Sequence, residues 1–352
     1  MGVSKWMTLA ALLAASSAQA APVPLPVHAV GRFADGYVHE WPGAYFESRF
    51  SGESVTVRVN DAINILAVYI DGQRVATLTK PGKAEFTYTT VPGAHTIRLD
   101  TLTESQDGTG TFEGFFVPKA KAVQQVTARP RQIEFIGDSF TAGYGNTSAK
   151  RECSKDEVWS TTDTQQAWGP LTARHYDADY QVIAYSGIGI VRNYDGVAPR
   201  RSMPILYSSS VFDPPPSVAY APRDWDPQIV VIALGGNDFS TPVHAGDRWT
   251  TLEELRADYI ATYVRFVKTV RASHPSAQFL LVDYGEDEIH TDVAEVIKRL
   301  NADGESRVSP YTAGSGFNRT GCDWHLNLVD DKRIADGLTT YIDAHPALWQ
   351  GK

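Results

Sequence analysis

Between Tyr37 and Val117 the chain runs in short segments of alternating apolar and polar residues, broken by turn signals. Residues 53–59, 65–70 ahead of Asp71-Gly72, 85–89, 95–99 and 110–117 are the clearest of these segments. A period of two places alternate side chains on one face of a strand, and spacings of about ten residues with Asp-Gly and Pro-Gly breaks predict an antiparallel sandwich. Residues 118–131, rich in Lys, Ala, Gln and Arg between prolines, read as a connection between domains. After Gln132 the pattern changes. Apolar runs at 133–136, 181–185, 229–234 and 279–282 alternate with helical stretches. Leu252, Leu255, Tyr259, Tyr263, Phe266, Val267 and Val270 recur at three and four, which predicts a helix over 252–273 with Thr250 or Thr251 as cap and Pro275 beyond its end. Residues 292–300 and 330–345 are further helix candidates. Strands alternating with helices imply a doubly wound parallel α/β sheet covered on both faces. The expected division is a β-sandwich over 21–125 and an α/β domain over 131–352.

Charge and targeting narrow the picture. A chain of 352 residues with net charge -9 lacks the clustered Lys and Arg of a nucleic-acid binder. Lys5, the mostly apolar stretch 6–15 and the small-x-small sequence Ala18-Gln19-Ala20 have the form of a signal peptide. Cleavage near Ala20 is expected to leave an exported chain, secreted to the periplasm or the medium. No later segment approaches about 18 uninterrupted apolar residues, so stable membrane insertion is not expected. Export gives meaning to the two cysteines, Cys153 and Cys322. Only one internal bridge is possible, and a disulfide is expected, although two buried free thiols read the same in sequence.

The candidate chemistry starts at Ile133-Glu134-Phe135-Ile136-Gly137-Asp138-Ser139, where an apolar strand signal ends in an acid and a serine. Open α/β folds put their chemistry at the carboxyl edge of the sheet. A serine hydroxyl is a poor nucleophile until a neutral imidazole takes its proton, and a carboxylate commonly orients that imidazole. His325 and Asp323, near the other end of the chain, supply both groups. Donors for a developing oxyanion are available in Ser186-Gly187-Ile188-Gly189 and Gly235-Gly236-Asn237-Asp238, each just after a strand signal. With the Ser139 amide that makes three donors from three strand ends.

These four blocks resemble those of the SGNH (GDSL-type) hydrolases. The resemblance implies Ser139 as nucleophile, Gly189 and Asn237 as oxyanion donors, His325 as base and Asp323 as its orienter, with Gly187 a near-equal rival to Gly189. Asp323-Trp324-His325 is one residue shorter than the frequent Asp-x-x-His spacing. A narrower match is to carbohydrate esterase family 2. It rests on a β-sandwich ahead of the hydrolase domain and on the block from Ile133 to Asn146. Tyr185-Ser186-Gly187-Ile188-Gly189-Ile190-Val191-Arg192-Asn193-Tyr194 and Gly321-Cys322-Asp323-Trp324-His325 extend it. That resemblance implies a jelly-roll domain beside the catalytic one, no cofactor or metal, and an acetylated carbohydrate as substrate. The implied activity is removal of acetyl groups from plant polysaccharides or oligosaccharides, of acetyl xylan or mannan type, with the 6-hydroxyl among the positions served. A monomer is the expectation.

Plainer readings stand beside these. Gly-Asp-Ser alone is a weak signal; strand context and three further blocks in order give it weight. Asp323 also suits a helix cap, Asn237 a turn, and Asp138 a brace for the serine turn. Trp41, Tyr194, Trp225, Tyr284 and Trp324 are candidates for stacking on sugar rings, yet aromatic residues more often pack in cores. Of these, Trp324, Tyr194 and Trp225 are taken as substrate-binding candidates. No histidine pair has helical ligand spacing, so no metal site is expected. The rival functions are a lipase or thioesterase of the same superfamily, and a sugar-binding protein with a vestigial hydrolase half.

Overall fold

Nine strands in the first half form one antiparallel sheet: β1 Val23–Pro24, β2 His28–Val30, β3 Phe33–Ala34, β4 Val38–His39, β5 Tyr45–Asp61, β6 Ile65–Ile70, β7 Gln73–Thr79, β8 Gly82–Thr101 and β9 Gly110–Val117. The computed structural model describes residues 21–106, 108–118, 125–213, 217–221, 224–285 and 289–350. The signal-peptide expectation for 1–20 and part of the connecting segment lie outside those residues. The sheet follows the order β3-β4-β9-β5-β8-β6-β7, with β1 beside β9 and β2 beside β5. It curls into a half-barrel around Phe46, Val55, Val57, Leu66, Val68, Leu99, Phe112 and Phe115, all fully buried.

The Pro92-Gly93 break expected between two strands is instead an irregularity within β8. Gly52 pairs with Gly93 and Ser54 with Thr89, so the ladder resumes across a bulge.

The second half forms a parallel five-stranded sheet from β10 Gln132–Gly137, β11 Asp179–Ala184, β14 Ile229–Ala233, β15 Gln278–Asp283 and β16 Val308–Thr312. A separate two-stranded ribbon joins β12 Ser209–Val211 to β13 Val218–Ala219. The parallel order is β11-β10-β14-β15-β16, so the chain reverses direction across the sheet beside β10. Crevices for ligands open at such reversals, at the carboxyl ends of the strands. Helices α1 Ser139–Ala142, α2 Lys155–Thr161, α3 Trp168–His175, α4 Met203–Leu206, α5 Leu252–Ser273, α6 Ile289–Ala302 and α7 Leu328–Ala344 complete this half.

Strand residues alternate between two cores. Val230, Ile232, Phe279 and Leu281 pack with α5 and α6, while Ile229, Val231, Leu280 and Val282 pack with α3 and α7. Burial on both faces explains why these strands read as unbroken apolar runs. Helix α5 ends where the periodicity places it, and Thr251 caps it by accepting from the Glu254 amide.

The two halves meet through buried polar contacts. The Trp41 indole, 1% exposed, donates to the Ser209 carbonyl at 2.8 Å, and the Tyr45 hydroxyl to Asp179 at 2.6 Å. Arg129 pairs with both Glu47 and Asp179.

Candidate active site

The chain leaves β10 at Gly137 and turns at once into α1. Asp138 caps that turn by accepting from the Phe140 amide at 3.0 Å. Ser139, the first residue of the turn, is thereby held at the carboxyl edge of the sheet. His325 arrives from the other end of the chain, on the loop between β16 and α7. The Cys153–Cys322 disulfide, with a Cα–Cα distance of 5.5 Å, ties this loop to the segment after α1. Cys322 also donates its amide to the Gly145 carbonyl at 3.2 Å, and Asp323 donates to Arg151 at 2.6 Å. Gly145 has φ +55°, and a Cβ there would lie 2.4 Å from the Cys322 Cβ, so only glycine allows this approach. The result is a 2.8 Å contact between His325 Nε2 and Ser139 Oγ.

The far side of the imidazole departs from expectation. Nδ1 faces two main-chain carbonyls, Cys322 at 2.9 Å and Asp323 at 3.1 Å. The Asp323 carboxylate instead accepts from the Tyr144 hydroxyl at 2.9 Å and is exposed. Asp323 and Trp324 both take left-handed backbone angles, φ +50° and +59°, so the turn presents its carbonyls to the ring and sends the side chains outward. Carbonyl oxygens only accept, so Nδ1 carries the proton and Nε2 offers its lone pair to Ser139. Burial lowers the pKa of His325 below its ordinary value, and the two carbonyl bonds offset part of that shift. The Tyr144 ring lies 4.3 Å from the imidazole and the Phe140 ring 5.3 Å, edge-on.

The two candidate glycines differ. The Gly189 amide donates to Asn193 Oδ1 at 3.0 Å and is buried. The Gly187 amide has no hydrogen-bond partner among the described residues, and its φ of +83° suits glycine. Asn237 Nδ2 donates to the Ile188 carbonyl at 2.8 Å and to Asp138 Oδ2 at 3.2 Å, so it bridges the glycine loop and the serine turn. Asp238 accepts from three consecutive amides, Ile190, Val191 and Arg192, at 2.7–2.9 Å, which fixes the same loop. Burial raises Asp138 to about 7, with Asp238 and Glu104 adding to the effect, and burial raises Asp238 to about 6.

Among the aromatic candidates, Trp324 and Tyr194 are each 56% exposed, the first beside His325 and the second hydrogen-bonded through its amide to the Gly187 carbonyl. Trp225 is not brought to this site. Its indole donates to Glu134, five residues before Ser139, or roughly 16 Å back along the strand. Trp41 belongs to the contact between the halves, and Tyr284 packs behind Phe140. Sequence reasoning missed Tyr144, the Cys322 carbonyl and Glu104. Glu104 comes from the antiparallel half and accepts from both the Ser186 amide and hydroxyl. Among the described residues no group of three or more His, Cys, Asp or Glu could hold a metal ion, and no helix is long and apolar enough to cross a membrane.

A serine at the end of β10 in contact with a histidine from the last loop, beside the loops after β11 and β14, is the arrangement of a hydrolase of the GDSL type. Residues 135–312 match the GDSL-like Lipase/Acylhydrolase family, and residues 29–126 match the family described as Carbohydrate esterase 2 N-terminal. The chain belongs to carbohydrate esterase family 2 and is a carboxylic ester hydrolase. It is 41% identical to an acetylxylan esterase / glucomannan deacetylase of Cellvibrio japonicus, over 97% of this chain and 98% of that protein. A solved carbohydrate esterase, described as having an active site with divergent catalytic and non-catalytic binding functions, superposes with a TM-score of 0.86. It is 41% identical, and the match covers 93% of this chain and 100% of that one. A family two carbohydrate esterase from Clostridium thermocellum, solved with cellohexaose, is 26% identical with a TM-score of 0.77, covering 92% and 99%.

Proposed function

We propose that this esterase removes acetyl groups from the hydroxyls of plant polysaccharides or their oligosaccharides, of acetyl xylan or glucomannan type, through an acetyl-enzyme on Ser139. The observation that carries the reading is the 2.8 Å contact between Ser139 Oγ and His325 Nε2. The acetyl group and the glycan come from the likeness to the Cellvibrio enzyme. Neutral His325 takes the Ser139 proton as Oγ attacks the acetyl carbonyl. The oxyanion accepts from the Ser139 and Gly187 amides and from the Asn237 side chain, which gives up its longer bond to Asp138 to do so. We favour Gly187 over Gly189 because Asn193 already engages the Gly189 amide. Collapse expels the sugar alkoxide, which takes the proton from His325. Water then repeats the two steps on acetyl-Ser139, releasing acetate and restoring the hydroxyl.

In this reading the Cys322 and Asp323 carbonyls orient the imidazole, and Trp324 and Tyr194 offer apolar faces to the sugar. Residues 21–125 and 131–352 are the two domains of an exported monomer whose residues 1–20 are removed. The test is acetate release from acetylated xylan and glucomannan, set against hydrolysis of a long-chain p-nitrophenyl ester. Ser139→Ala should abolish release while sugar binding persists. Preference for the long-chain ester would place the enzyme with lipases instead.

A further inference from the structure

We propose that Glu104, carried by the antiparallel half of the chain, is a positioning residue that aims the Gly187 amide at the reacting oxygen. The inference rests on the esterase reading above. Glu104 follows β8 and reaches across to the loop after β11. One carboxylate oxygen accepts from the Ser186 amide at 2.9 Å and from Gln106 Nε2 at 3.3 Å, and the other accepts from the Ser186 hydroxyl.

The turn it grips has a defined shape. The Ile188 amide donates to the Tyr185 carbonyl at 3.2 Å, closing a four-residue turn with Gly187 third. A φ of +83° at that position is the signature of a type II turn. Types I and II differ by a flip of the central peptide, the one joining Ser186 to Gly187, which carries the Gly187 N–H. On its far side the Gly187 carbonyl accepts from the Tyr194 amide at 2.8 Å. On its near side, Glu104 holds Ser186. The central peptide is therefore clamped at both ends, while its own N–H has no partner among the described residues.

Two further facts agree with this position. Glu104 contributes electrostatically at both Asp138 and Tyr144, the neighbours of Ser139 and His325. The accepting oxygens are already covered by donors, which tempers their repulsion of a nearby oxyanion. The antiparallel half thus completes the catalytic centre of the other half.

The experiment compares the full-length protein with Glu104→Gln, Glu104→Ala, Ser186→Ala and the Glu104→Ala/Ser186→Ala pair. It uses p-nitrophenyl acetate and an acetylated xylo-oligosaccharide, with rates taken per titrated active serine. Losing an oxyanion donor outright costs about 100- to 1000-fold, so misaiming one should lower kcat about 10- to 100-fold in Glu104→Ala, and by a smaller factor in Glu104→Gln. KM should stay within about threefold of wild type, since a group acting only in the transition state leaves ground-state binding alone. The double variant should be no slower than Glu104→Ala, because both changes cut the same contact. A purely structural role would lower Tm and the titrated fraction while sparing kcat per active serine. Glu104→Gln with wild-type or higher kcat overturns the proposal, and that variant decides if Glu104→Ala fails to fold. Surviving activity in Ser139→Ala overturns the esterase reading as well; a dead Ser139→Ala beside an unimpaired Glu104→Gln overturns only this one.

Discussion

The carbonyl oxygen of Cys322 lies 2.9 Å from Nδ1 of His325, so the residue bridged to Cys153 also holds the imidazole that meets Ser139. In the proposed mechanism the backbone orients the imidazole, while the neighbouring carboxylate points to Tyr144.

Asp323→Asn should therefore cost little. In hydrolases where a carboxylate holds Nδ1, its loss lowers kcat about 10,000-fold through the wrong tautomer. Here carbonyls fix the tautomer, so the amide should slow acetate release by no more than about tenfold, the residual effect being the lost charge near the imidazolium. Steady-state kcat for the variant checks this. A loss in the thousands would mean that the carboxylate swings onto Nδ1 during turnover.

The disulfide should matter to rate as well as to stability. It closes a loop spanning 169 residues, and bridges of this kind contribute about 2–4 kcal/mol. Its reduction frees the turn whose carbonyls hold His325, so kcat should fall with little change in KM. Cys153→Ala should show the same loss and be indifferent to reductant. Thermal melts and rates with and without reductant, with alkylation to confirm the free thiols, decide the matter; full activity in the reduced protein would refute the coupling.

The acid limb of the rate profile should lie low. In the proposed mechanism only neutral His325 accepts the serine proton, and burial lowers its pKa below 6.5. Activity should thus persist at pH values where an ordinary histidine is already half protonated, and decline as pH falls through the lowered value. Tyr144→Ala exposes the ring to water and releases the Asp323 carboxylate, and both changes raise the pKa. Its limb should move to higher pH. A profile of kcat/KM against pH for both proteins checks the direction.

Much of this arrangement was legible in the sequence, and the failures have physical reasons. The α5 helix, the four buried strands and the meeting of Ser139 with His325 follow from periodicity and from which motifs end strands. Strand β16 was missed because Pro310 breaks its run; proline is tolerated there since, among the described residues, β16 pairs only with β15, at the sheet edge. The Asp323 carboxylate lies off the imidazole because two consecutive left-handed residues turn it away, and no residue pattern announces positive φ at Asp and Trp. Trp225 was placed near substrate because an aromatic residue gives the same signal whether it serves a sugar or a buried carboxylate. Glu104 left no trace at all, since its partner Ser186 is 82 residues away in the other half.

Glu134, the buried carboxylate that the Trp225 indole engages, supplies the last prediction. Arg32, on the turn after β2, is 1% exposed and sits between the Tyr207 and Tyr220 rings, 4.2 Å from each centroid. It reaches Glu134 of β10 at 3.3 Å, and Glu134 also accepts from the Tyr207 hydroxyl at 2.7 Å and the Trp225 indole at 2.9 Å. Burial alone would raise the pKa of Glu134, yet Arg32, His274 and the Tyr207 hydroxyl outweigh it and hold it at about 2, below the usual 4.5. A carboxyl with a depressed folded-state pKa contributes stability above about pH 4.5 that is lost as the pH falls toward 2. Arg32→Ala leaves that charge buried without its main partner, which should cost about 3–5 kcal/mol at pH 7. Pairing it with Glu134→Gln should recover part of the loss, because the uncompensated charge is gone. Urea unfolding at pH 7 and pH 3 measures both effects: the gap between Arg32→Ala and wild type should narrow at pH 3. A loss below about 1 kcal/mol at pH 7 would show that the pair contributes to neither the strand nor the junction of the two halves.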